Sequence, residues 1–263
     1  MSALRIHVEG MGLWSPQLGD FDALRRLLDG GSPPPPQARP AAAMMAPNER
    51  RRAPESVLLA VEVAGQAVAM SGREAATLAC VFSSSHGEQS ITDYMCATLA
   101  HSPTELSPTR FHNSVHNAPV GYWTIAVGCH EPSTAVCADR ASFGAGLLEA
   151  AGQVLAEQRP VLLVCADTAG SGPLGKVIGG EQPFACALVL APTAGAATRA
   201  RLDIRLNAGA APTELAPPLS GWRAGNASAE ALPLLAALAR GAGRCQLAAG
   251  PQLGLQVDTG AVA

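Results

Sequence analysis

The residue of this sequence best suited to covalent chemistry is Cys137, within the stretch EPSTAVCADRASFGAGLLEA at residues 131–150. A thiolate can attack an acyl carbonyl, and the amide dipoles at the start of a helix stabilise it. A β-prone run precedes Cys137 and an apolar, helix-type run follows it, so the pattern predicts a strand-to-helix turn. Ala138, Ala141 and Gly144 are small enough to let that helix lie deep in the domain. This geometry suits an acyl-accepting nucleophile, and the simpler alternative is a small buried residue.

The groups that could activate such a thiol are badly placed along the chain. Every histidine precedes Cys137: His7, His86, His101, His112, His116 and His130. Asp139, two positions after the sulfur, opposes thiolate formation if it lies near, and Arg140 is the charge that could offset it. The histidines have no suitably spaced further ligands, and the seven cysteines have irregular spacing without a C-x-x-C pair. We therefore predict no metal site and no disulfide framework.

Composition limits the classes of function. The 263 residues are 48% hydrophobic with a net charge of −3, which predicts a globular protein with no general attraction to nucleic acid or anionic membranes. The amino terminus lacks a signal-peptide pattern, and no segment offers about 18 uninterrupted apolar residues. We expect a cytoplasmic protein without a membrane span, organised as a single domain over residues 1–263.

Several short motifs resemble ligand-binding signatures but lack residues that those signatures require. Gly10-x-Gly12 follows a strand but lacks the third glycine of a dinucleotide fingerprint, and the glycines at 170–172 and 179–180 lack the Gly-Lys-Ser/Thr of a phosphate loop. We predict turns at the latter glycines and no cofactor. The run Arg50–Arg52 is a solvated loop end or a dock for an acidic partner such as a carrier protein.

Strand-type and helix-type segments alternate, which predicts a layered α/β domain. Residues 30–54 form an irregular loop in this interpretation, because their prolines oppose helix and central strand. The run at 160–165 is the clearest candidate for a strand buried on both faces. Strands are predicted at residues 3–9, 77–82, 133–136, 160–165, 184–190, 201–206 and 253–258, and helices at 21–28, 55–70, 91–99, 141–157 and 227–239.

Three tracts resemble a known family. IHVEGMGLWSPQLG and RRRAPESVLLAVEVAGQAVAMSG are similar to the first strand and first long helix of β-ketoacyl synthases, and LSPTRFHNSVHNAPVGYWTIAVGCHEPSTAVCADRASFGAGLLEAAGQVL is similar to their tract from the dimer interface to the nucleophile elbow. HNSVHNAPVGYW resembles the ketosynthase-like chain-length factors of bacterial aryl-polyene and xanthomonadin-type pigment clusters. The resemblance implies a thiolase-like layered α/β fold, truncated in its second half.

The same resemblance implies which chemistry is missing. Condensing enzymes of the family pair their cysteine with two downstream histidines, or with a histidine and an asparagine, whereas this chain has no histidine after Cys137. Asn226 is the nearest counterpart of the first catalytic histidine and cannot serve as the same acid or base. Losing one oxyanion donor costs about 10²–10³ in rate, and losing the whole set costs more. We interpret Cys137 as an inactive relic of the nucleophile position, with residual acyl-accepting activity as the alternative.

The function implied is that of a non-catalytic chain-length factor. Such a subunit pairs with a full-length β-ketoacyl-ACP synthase as a heterodimer, meets the acyl carrier protein through that partner, and walls the end of its acyl tunnel. The wall is expected from a loop at Phe111–Tyr122, and the seam from that loop and the exposed strand Ser133–Val136. The chosen tunnel and interface residues are His112, Asn113, His116, Asn117, Tyr122, Ser133, Thr134 and Val136.

Two further expectations follow from this interpretation. A truncated half-fold should expose an unpaired sheet edge and an apolar surface patch at Val115, Val120, Trp123 and Ile125. The competing hypothesis is enzymatic: Cys137 accepts an acyl group with His112 or His116 as base, giving an acyltransferase or thioesterase. A third alternative is a lipid or polyene binder that uses the same cleft.

Overall fold

A computed structural model of the protein describes residues 3–32 and 38–261. The described residues form one eight-stranded sheet, ordered β3-β2-β4-β5-β1-β6-β8-β7. The strands are β1 (Leu4–Trp14), β2 (Ala79–Ser83), β3 (Ser133–Val136), β4 (Val161–Asp167), β5 (Phe184–Ala191), β6 (Ala200–Asn207), β7 (Gly243–Gly250) and β8 (Leu253–Gly260). The α-helices are α1 (Phe21–Leu28), α2 (Pro47–Arg52), α3 (Glu55–Ser71), α4 (Gln89–His101), α5 (Pro108–His112), α6 (Ala118–Val127), α7 (Ser142–Glu157), α8 (Gly172–Ile178), α9 (Leu219–Ala224) and α10 (Leu232–Ala239).

The sheet bends around one helix. Strand β1 pairs with β6 through residues 4–8 and with β5 through residues 7–14, and its register shifts between Val8 and Gly10. Helix α7 contacts β2 and β4 near one end of the strand order and β7 at the other end. The helix that follows Cys137 is therefore central, as the small residues around the elbow predict.

Two apolar cores lie on opposite faces of the sheet. One packs α1, α7 and α10 against it, and the other packs α3 and α6. Strand β4 is buried at all seven positions and pairs parallel with β2 and antiparallel with β5. The prediction of a strand buried on both faces at 160–165 is thus confirmed.

Gly12 is explained by packing and not by a ligand. A Cβ atom at this position would overlap the carbonyl oxygen of Val63 in α3. Glycine lets the helix lie directly on β1, and a larger residue would push the two elements apart. The Gly10-x-Gly12 pattern therefore serves helix–strand contact, which agrees with its rejection as a nucleotide motif.

Three expectations about local structure are wrong. Within the predicted irregular segment 30–54, Pro47–Arg52 is helix α2, because a proline in the first helical turn loses no intrahelical hydrogen bond; residues 33–37 lie outside the described part of the chain. The predicted loop Phe111–Tyr122 is largely helical, within α5 and α6, whose prolines also occupy first turns. The segment 227–239 is a 3₁₀ turn at Ser228–Ala231 followed by α10.

Candidate functional site

The predicted nucleophile position, Cys137, lies where three strands end together. Strands β3 and β4 both pair parallel with β2, so their carboxyl ends meet at one edge of the sheet. Cys137 directly follows β3, Ser84 and Ser85 follow β2, and Asp167 ends β4. This is the crevice in which open α/β sheets commonly place ligands.

Cys137 lies in the turn between β3 and α7. Its side chain is exposed, and its Sγ donates a hydrogen bond to the carbonyl oxygen of Ser85 at 3.0 Å. A 3₁₀ turn at Asp139–Ala141 separates it from α7, which begins only at Ser142. Because helix-dipole stabilisation fades within the first turn, it offers the sulfur little help.

The two charged residues of the elbow are held by other groups. Asp139, whose φ of 49° is left-handed, lies 3.5 Å from the His86 ring through its Oδ1 atom. Arg140 turns away to Glu230, with an Nη2–Oε1 distance of 2.6 Å, and donates to the carbonyl oxygen of Arg223 at 2.8 Å. Arg140 is thus bound to Glu230 and does not neutralise Asp139, contrary to the role considered for it.

A buried polar network lies beside the elbow. The Asp167 carboxylate accepts hydrogen bonds from Ser84 Oγ at 2.7 Å, Ser85 N at 2.8 Å and Ser228 Oγ at 2.6 Å. These bonds join the ends of β2 and β4 to the 3₁₀ turn that precedes α10. Three donors satisfy the buried carboxylate, so its evident task is to hold the strand ends in place.

Asn226 is part of this network and is fully occupied. Its side chain is 1% exposed, and Nδ2 donates to the carbonyl oxygens of Asp167 at 3.1 Å and Gln182 at 2.8 Å. Its Oδ1 accepts from Ser228 N at 2.8 Å. A side-chain amide can donate two hydrogen bonds, and both are used here. The side-chain amide of Asn226 has no donor left for a substrate carbonyl, so its role in this structure is to join the Asp167, Gln182 and Ser228 segments.

The space beside these groups is too small for an acyl chain. The cavity among Ser85, His86, Asp139, Asp167 and Asn226 has a volume of about 20 Å³. That is room for about one water molecule. The described cavity beside Cys137 therefore has less room than an acyl chain needs.

A much larger cavity lies where the tunnel residues were predicted. It has a volume of about 530 Å³, and we call it the α2–α5–α6 groove; it is lined by Glu49, Phe111, His112, Val115, Asn117, Ala118, Gly121, Tyr122 and Ile125. Three of the predicted residues, His112, Asn117 and Tyr122, are among these. Pockets of 300–1,000 Å³ hold small molecules or protein side chains.

The other two predicted residues of this segment, Asn113 and His116, do not line the groove but bond to neighbouring groups. Asn113 is buried, and its Oδ1 accepts from Tyr122 Oη at 3.1 Å. The His116 Nε2 atom lies 3.0 Å from the Ser84 carbonyl oxygen, which ties α6 to the strand ends. These contacts fix the ring of Tyr122 and the entry to α6. Sequence reasoning did not find Glu49, because only folding brings α2 to α5 and α6.

The exposed apolar patch is smaller than predicted and differently composed. Val115 and Ile125 are exposed, at 52% and 75%, and Phe111 joins them at 58%. Val120 and Trp123, which were expected on the surface, are buried at 4% and 0%. The expectation is wrong for these two because α6 packs them against α3 in the second core.

Strand β3 is an edge of the described sheet, as predicted. It pairs with β2 on one side, and the side chains of Ser133 and Ala135 are exposed. Thr134 Oγ1 accepts from Gln153 of α7 at 3.1 Å, and Val136 is half-buried against the first core. Ser133 and Ala135 therefore face outward, while Thr134 and Val136 face the domain.

The opposite edge of the sheet is protected. Gln246 of β7 donates its backbone N–H to Thr213 Oγ1 at 2.8 Å, and its carbonyl oxygen accepts from Thr213 N at 3.1 Å. The segment before α9 thereby covers the middle of β7. Since natural proteins shield edges that must not pair, the open edge at β3 is the edge of the described sheet that remains available for another chain.

Four buried thiols are structural. Burial raises the pKa of Cys80, Cys165 and Cys245 to about 12, and it raises the pKa of Cys186 well above its ordinary value. Thiols with such pKa values are unreactive near neutral pH. Within residues 3–32 and 38–261 no group of three or more His, Cys, Asp or Glu side chains could hold a metal ion. The helices of that same part of the chain are all too short or too polar to cross a membrane.

Comparisons with known proteins agree with this architecture. The solved complex of a ketosynthase with its chain length factor from Xenorhabdus doucetiae matches 96% of this chain and 98% of its own, with a TM-score of 0.73 and 24% identity. A complex of a type II polyketide synthase acyl-carrier protein with its ketosynthase, bound to the hexaketide, matches all of both chains with a TM-score of 0.77 and 12% identity. The ishigamide ketosynthase/chain length factor matches 78% of this chain and 64% of its own, with a TM-score of 0.55 and 16% identity.

At these identities the solved structures establish the fold, which is the thiolase-like ketosynthase fold in a truncated form. A search of curated proteins found no match. The family model described as β-ketoacyl synthase, N-terminal domain, matches residues 29–252. Because this match covers most of the chain, including the β3 edge and the Cys137 elbow, the protein belongs to the family of β-ketoacyl synthase N-terminal domains.

Proposed function

We propose that this protein is a non-catalytic chain-length-factor subunit that pairs with a full-length β-ketoacyl-ACP synthase in the cytoplasm and shapes its acyl tunnel. The observation that carries the proposal is the combination of an open sheet edge, β3, with an exposed apolar groove. Within the described part of the chain, the predicted nucleophile, Cys137, has the Ser85 carbonyl oxygen as its hydrogen-bond partner and no histidine. A subunit built this way can dock and line a cavity. It lacks the groups to condense acyl chains itself.

The proposed interface combines two elements that follow one another in the chain. Ser133 and Ala135 carry the exposed side chains of β3. Phe111, Val115 and Ile125 form the apolar patch on α5, α6 and their connection. An extended strand on the partner would satisfy the free backbone groups of β3. Obligate interfaces commonly exceed about 2,000 Å² and are rich in apolar contacts, which suits the patch.

The tunnel role belongs to the groove residues. We propose that Tyr122 and His112 close the end of the partner's acyl tunnel, because both line the groove and Asn113 fixes the Tyr122 ring. The aryl-polyene type of product, the carrier protein reached through the partner, and the single-domain organisation of residues 1–263 are parts of the same proposal. The ketosynthase and chain length factor complexes among the structural matches support it.

The proposal is tested by co-expression with a β-ketoacyl-ACP synthase encoded beside this chain, followed by product analysis. Tyr122→Ala should leave the complex intact and lengthen the product, since it removes the ring that faces the groove. Ala135→Asp should abolish co-purification, whereas Ala194→Asp, at an exposed alanine between β5 and β6, should not. Ala135 is the better test position than its neighbour Val136, because Val136 packs against the core. Unaltered products with Tyr122→Ala would remove the tunnel role.

One observation keeps a second function open. Cys137 is exposed, so an acyl-thioester could reach it in an acyltransferase or thioesterase. Its proposed bases are elsewhere: His112 lines the groove, and His116 is held at the Ser84 carbonyl oxygen. Selective acylation of Cys137 by an acyl-thioester, followed by turnover, would establish this function; labelling without turnover would leave it a reactive surface thiol.

A further inference from the structure

One face of the sheet, on the side away from the first core, is lined by charged and polar side chains. Along β6, Leu202 and Ile204 belong to the first core, and Arg201, Asp203 and Arg205 alternate with them on the other face. The residues of this other face are Arg5 and His7 of β1, Arg201, Asp203, Arg205 and Asn207 of β6, Gln256 and Asp258 of β8, and Arg244 and Gln246 of β7. We call it the β1–β6–β8–β7 face. The helices that contact β7 and β8 are α7 and α10 of the first core, so no helix of the described chain covers its β6–β8–β7 part.

The charges of this face form two Arg–Asp–Arg triads, Arg5–Asp203–Arg201 and Arg205–Asp258–Arg244. In the first triad, the Asp203 carboxylate accepts from Arg5 Nε at 2.7 Å and from Arg201 Nε at 2.9 Å. The two aspartates are directly opposite each other in the β6–β8 register, and like charges at such positions destabilise a sheet. One arginine for each aspartate would cancel their charge. Each triad has two arginines, so each retains one unbalanced positive charge.

The arginines of the triads are accessible to a partner, and the aspartates lie beneath them. The four arginine side chains are 37–67% exposed, whereas Asp203 is 8% and Asp258 is 24% exposed. Arg5, Asp203, Asp258 and Arg244 stand in one row across the four strands. Arg5 and Arg244 are therefore three strand spacings apart, which is about 14–15 Å. Burial and two neighbouring arginines lower the pKa of His7, so its ring adds no charge at neutral pH.

Four arginines and two aspartates give the face a net charge of +2, which favours an anionic partner. A second copy of this chain would present the same positive face and be repelled. A nucleic acid would extend past the face onto the rest of the chain, which is net negative. A helix is a more compact occupant, since three turns span about 16 Å and match the row from Arg5 to Arg244. Carboxylates along one side of such a helix would meet guanidinium groups, which pair with them strongly.

We propose that the β1–β6–β8–β7 face docks an acidic helix, with Asp or Glu along one side for about three turns, from a protein other than the ketosynthase. Strands β7 and β3 are at opposite ends of the strand order, so docking here does not use the surface proposed for the ketosynthase. The inference does not rest on the proposed function. Because the contacts are exposed charges, association should be fast and should weaken as salt is added.

The test measures binding of a fluorescent helical peptide, with glutamates along one side for three turns, to the full chain by fluorescence anisotropy. Arg5→Gln and Arg244→Gln should each weaken binding about threefold, and the double variant about tenfold. Each single variant leaves its aspartate paired with the other arginine of the triad, and an unchanged thermal melt verifies that the fold is kept. Arg26→Gln, at an exposed arginine of α1, is the matched control and should bind like the wild type.

The other outcomes separate this partner from its alternatives. A peptide of the same composition, with its glutamates scattered around the helix, should bind more weakly; equal binding would reduce the face to a general attraction for anions and overturn the proposal. Tighter binding of a DNA duplex than of the peptide would assign the face to nucleic acid and overturn it as well. Displacement of the peptide by the ketosynthase would overturn the separate surface while supporting the heterodimer. Equal weakening by Arg26→Gln and Arg5→Gln would show that the triads are not the site.

Discussion

Replacing Asn226 separates a structural role from a chemical one. Asn226→Ala removes three hydrogen bonds, to the Asp167 and Gln182 carbonyl oxygens and from Ser228 N, without adding bulk. Each buried polar group left unpaired costs about 1–3 kcal/mol, and water can reach the partly buried Gln182 contact. We therefore expect a loss of about 2–4 kcal/mol in the free energy of unfolding. Domains are commonly stable by only about 5–15 kcal/mol, so the loss is a substantial fraction.

The assay is urea denaturation of the isolated chain, followed by product formation in the complex. With an m value of about 2–3 kcal/mol/M, the unfolding midpoint should fall by roughly 1 M. Asn48→Ala, at an exposed asparagine of α2, is the matched control and should change the free energy of unfolding by less than about 0.5 kcal/mol. At temperatures where Asn226→Ala remains folded, the complex should keep its condensing activity. Unchanged stability together with a hundredfold loss of activity would refute the structural role.

Three other substitutions test separate parts of the structure. Cys137→Ala should leave condensation by the assembled complex within a few-fold of wild type; a loss beyond about a hundredfold, measured by product formation, would mean that the thiol takes part in the chemistry. Gly144→Ala should cost about 1–3 kcal/mol in denaturation experiments, because its Cβ would overlap the Ala248 carbonyl oxygen, whereas Gly152→Ala on the open side of α7 should stabilise the helix by up to about 1 kcal/mol. Burial alone would raise the pKa of Asp203, but two arginines hold it below its ordinary value; the stability this provides is present above about pH 4 and is lost as pH falls further, so Asp203→Asn should flatten the acid limb of the stability curve.

The core of the fold is predictable from periodicity. The amphipathic pattern at 21–28 and the continuous apolar run at 160–165 correspond to α1 and β4, because burial on one or two faces determines which residues those elements need. Strand β7 was not predicted, although Cys245, Leu247 and Ala249 alternate with more exposed residues and carry the same signal. Glycines at both ends of that run favour a turn and conceal the alternation.

The helical surface near the groove was harder to predict for a different reason. Prolines and asparagines between residues 108 and 119 suggest a loop, yet Pro108 and Pro119 occupy first helical turns, where proline is tolerated. The burial of Trp123 depends on α3, and the place of Glu49 in the groove depends on α5 and α6, which lie about 60 residues away in sequence. Such contacts exist only in the folded chain. Sequence alone predicted a tunnel wall in the segment that lines the groove, but it did not predict the helical form of that segment.

At the turn that holds Cys137, too, sequence predicts the local pattern but not the side-chain contacts. The order of residues around Cys137 predicts a nucleophile position, and the lack of later histidines predicts its inactivity. Sequence did not reveal that Asn226 Nδ2 already donates two hydrogen bonds, or that Arg140 pairs with Glu230. It also did not reveal that the adjoining cavity has a volume of about 20 Å³. These are properties of side-chain geometry, and each supports the proposal of a non-catalytic subunit.

The most direct test of that proposal is multi-angle light scattering on the chain alone and on an equimolar mixture with its proposed β-ketoacyl-ACP synthase. The account predicts a single new species in the mixture, with the summed mass of one copy of each chain and with both proteins in the peak. A chain that elutes unchanged beside the ketosynthase, as a stable species of its own, would contradict the account.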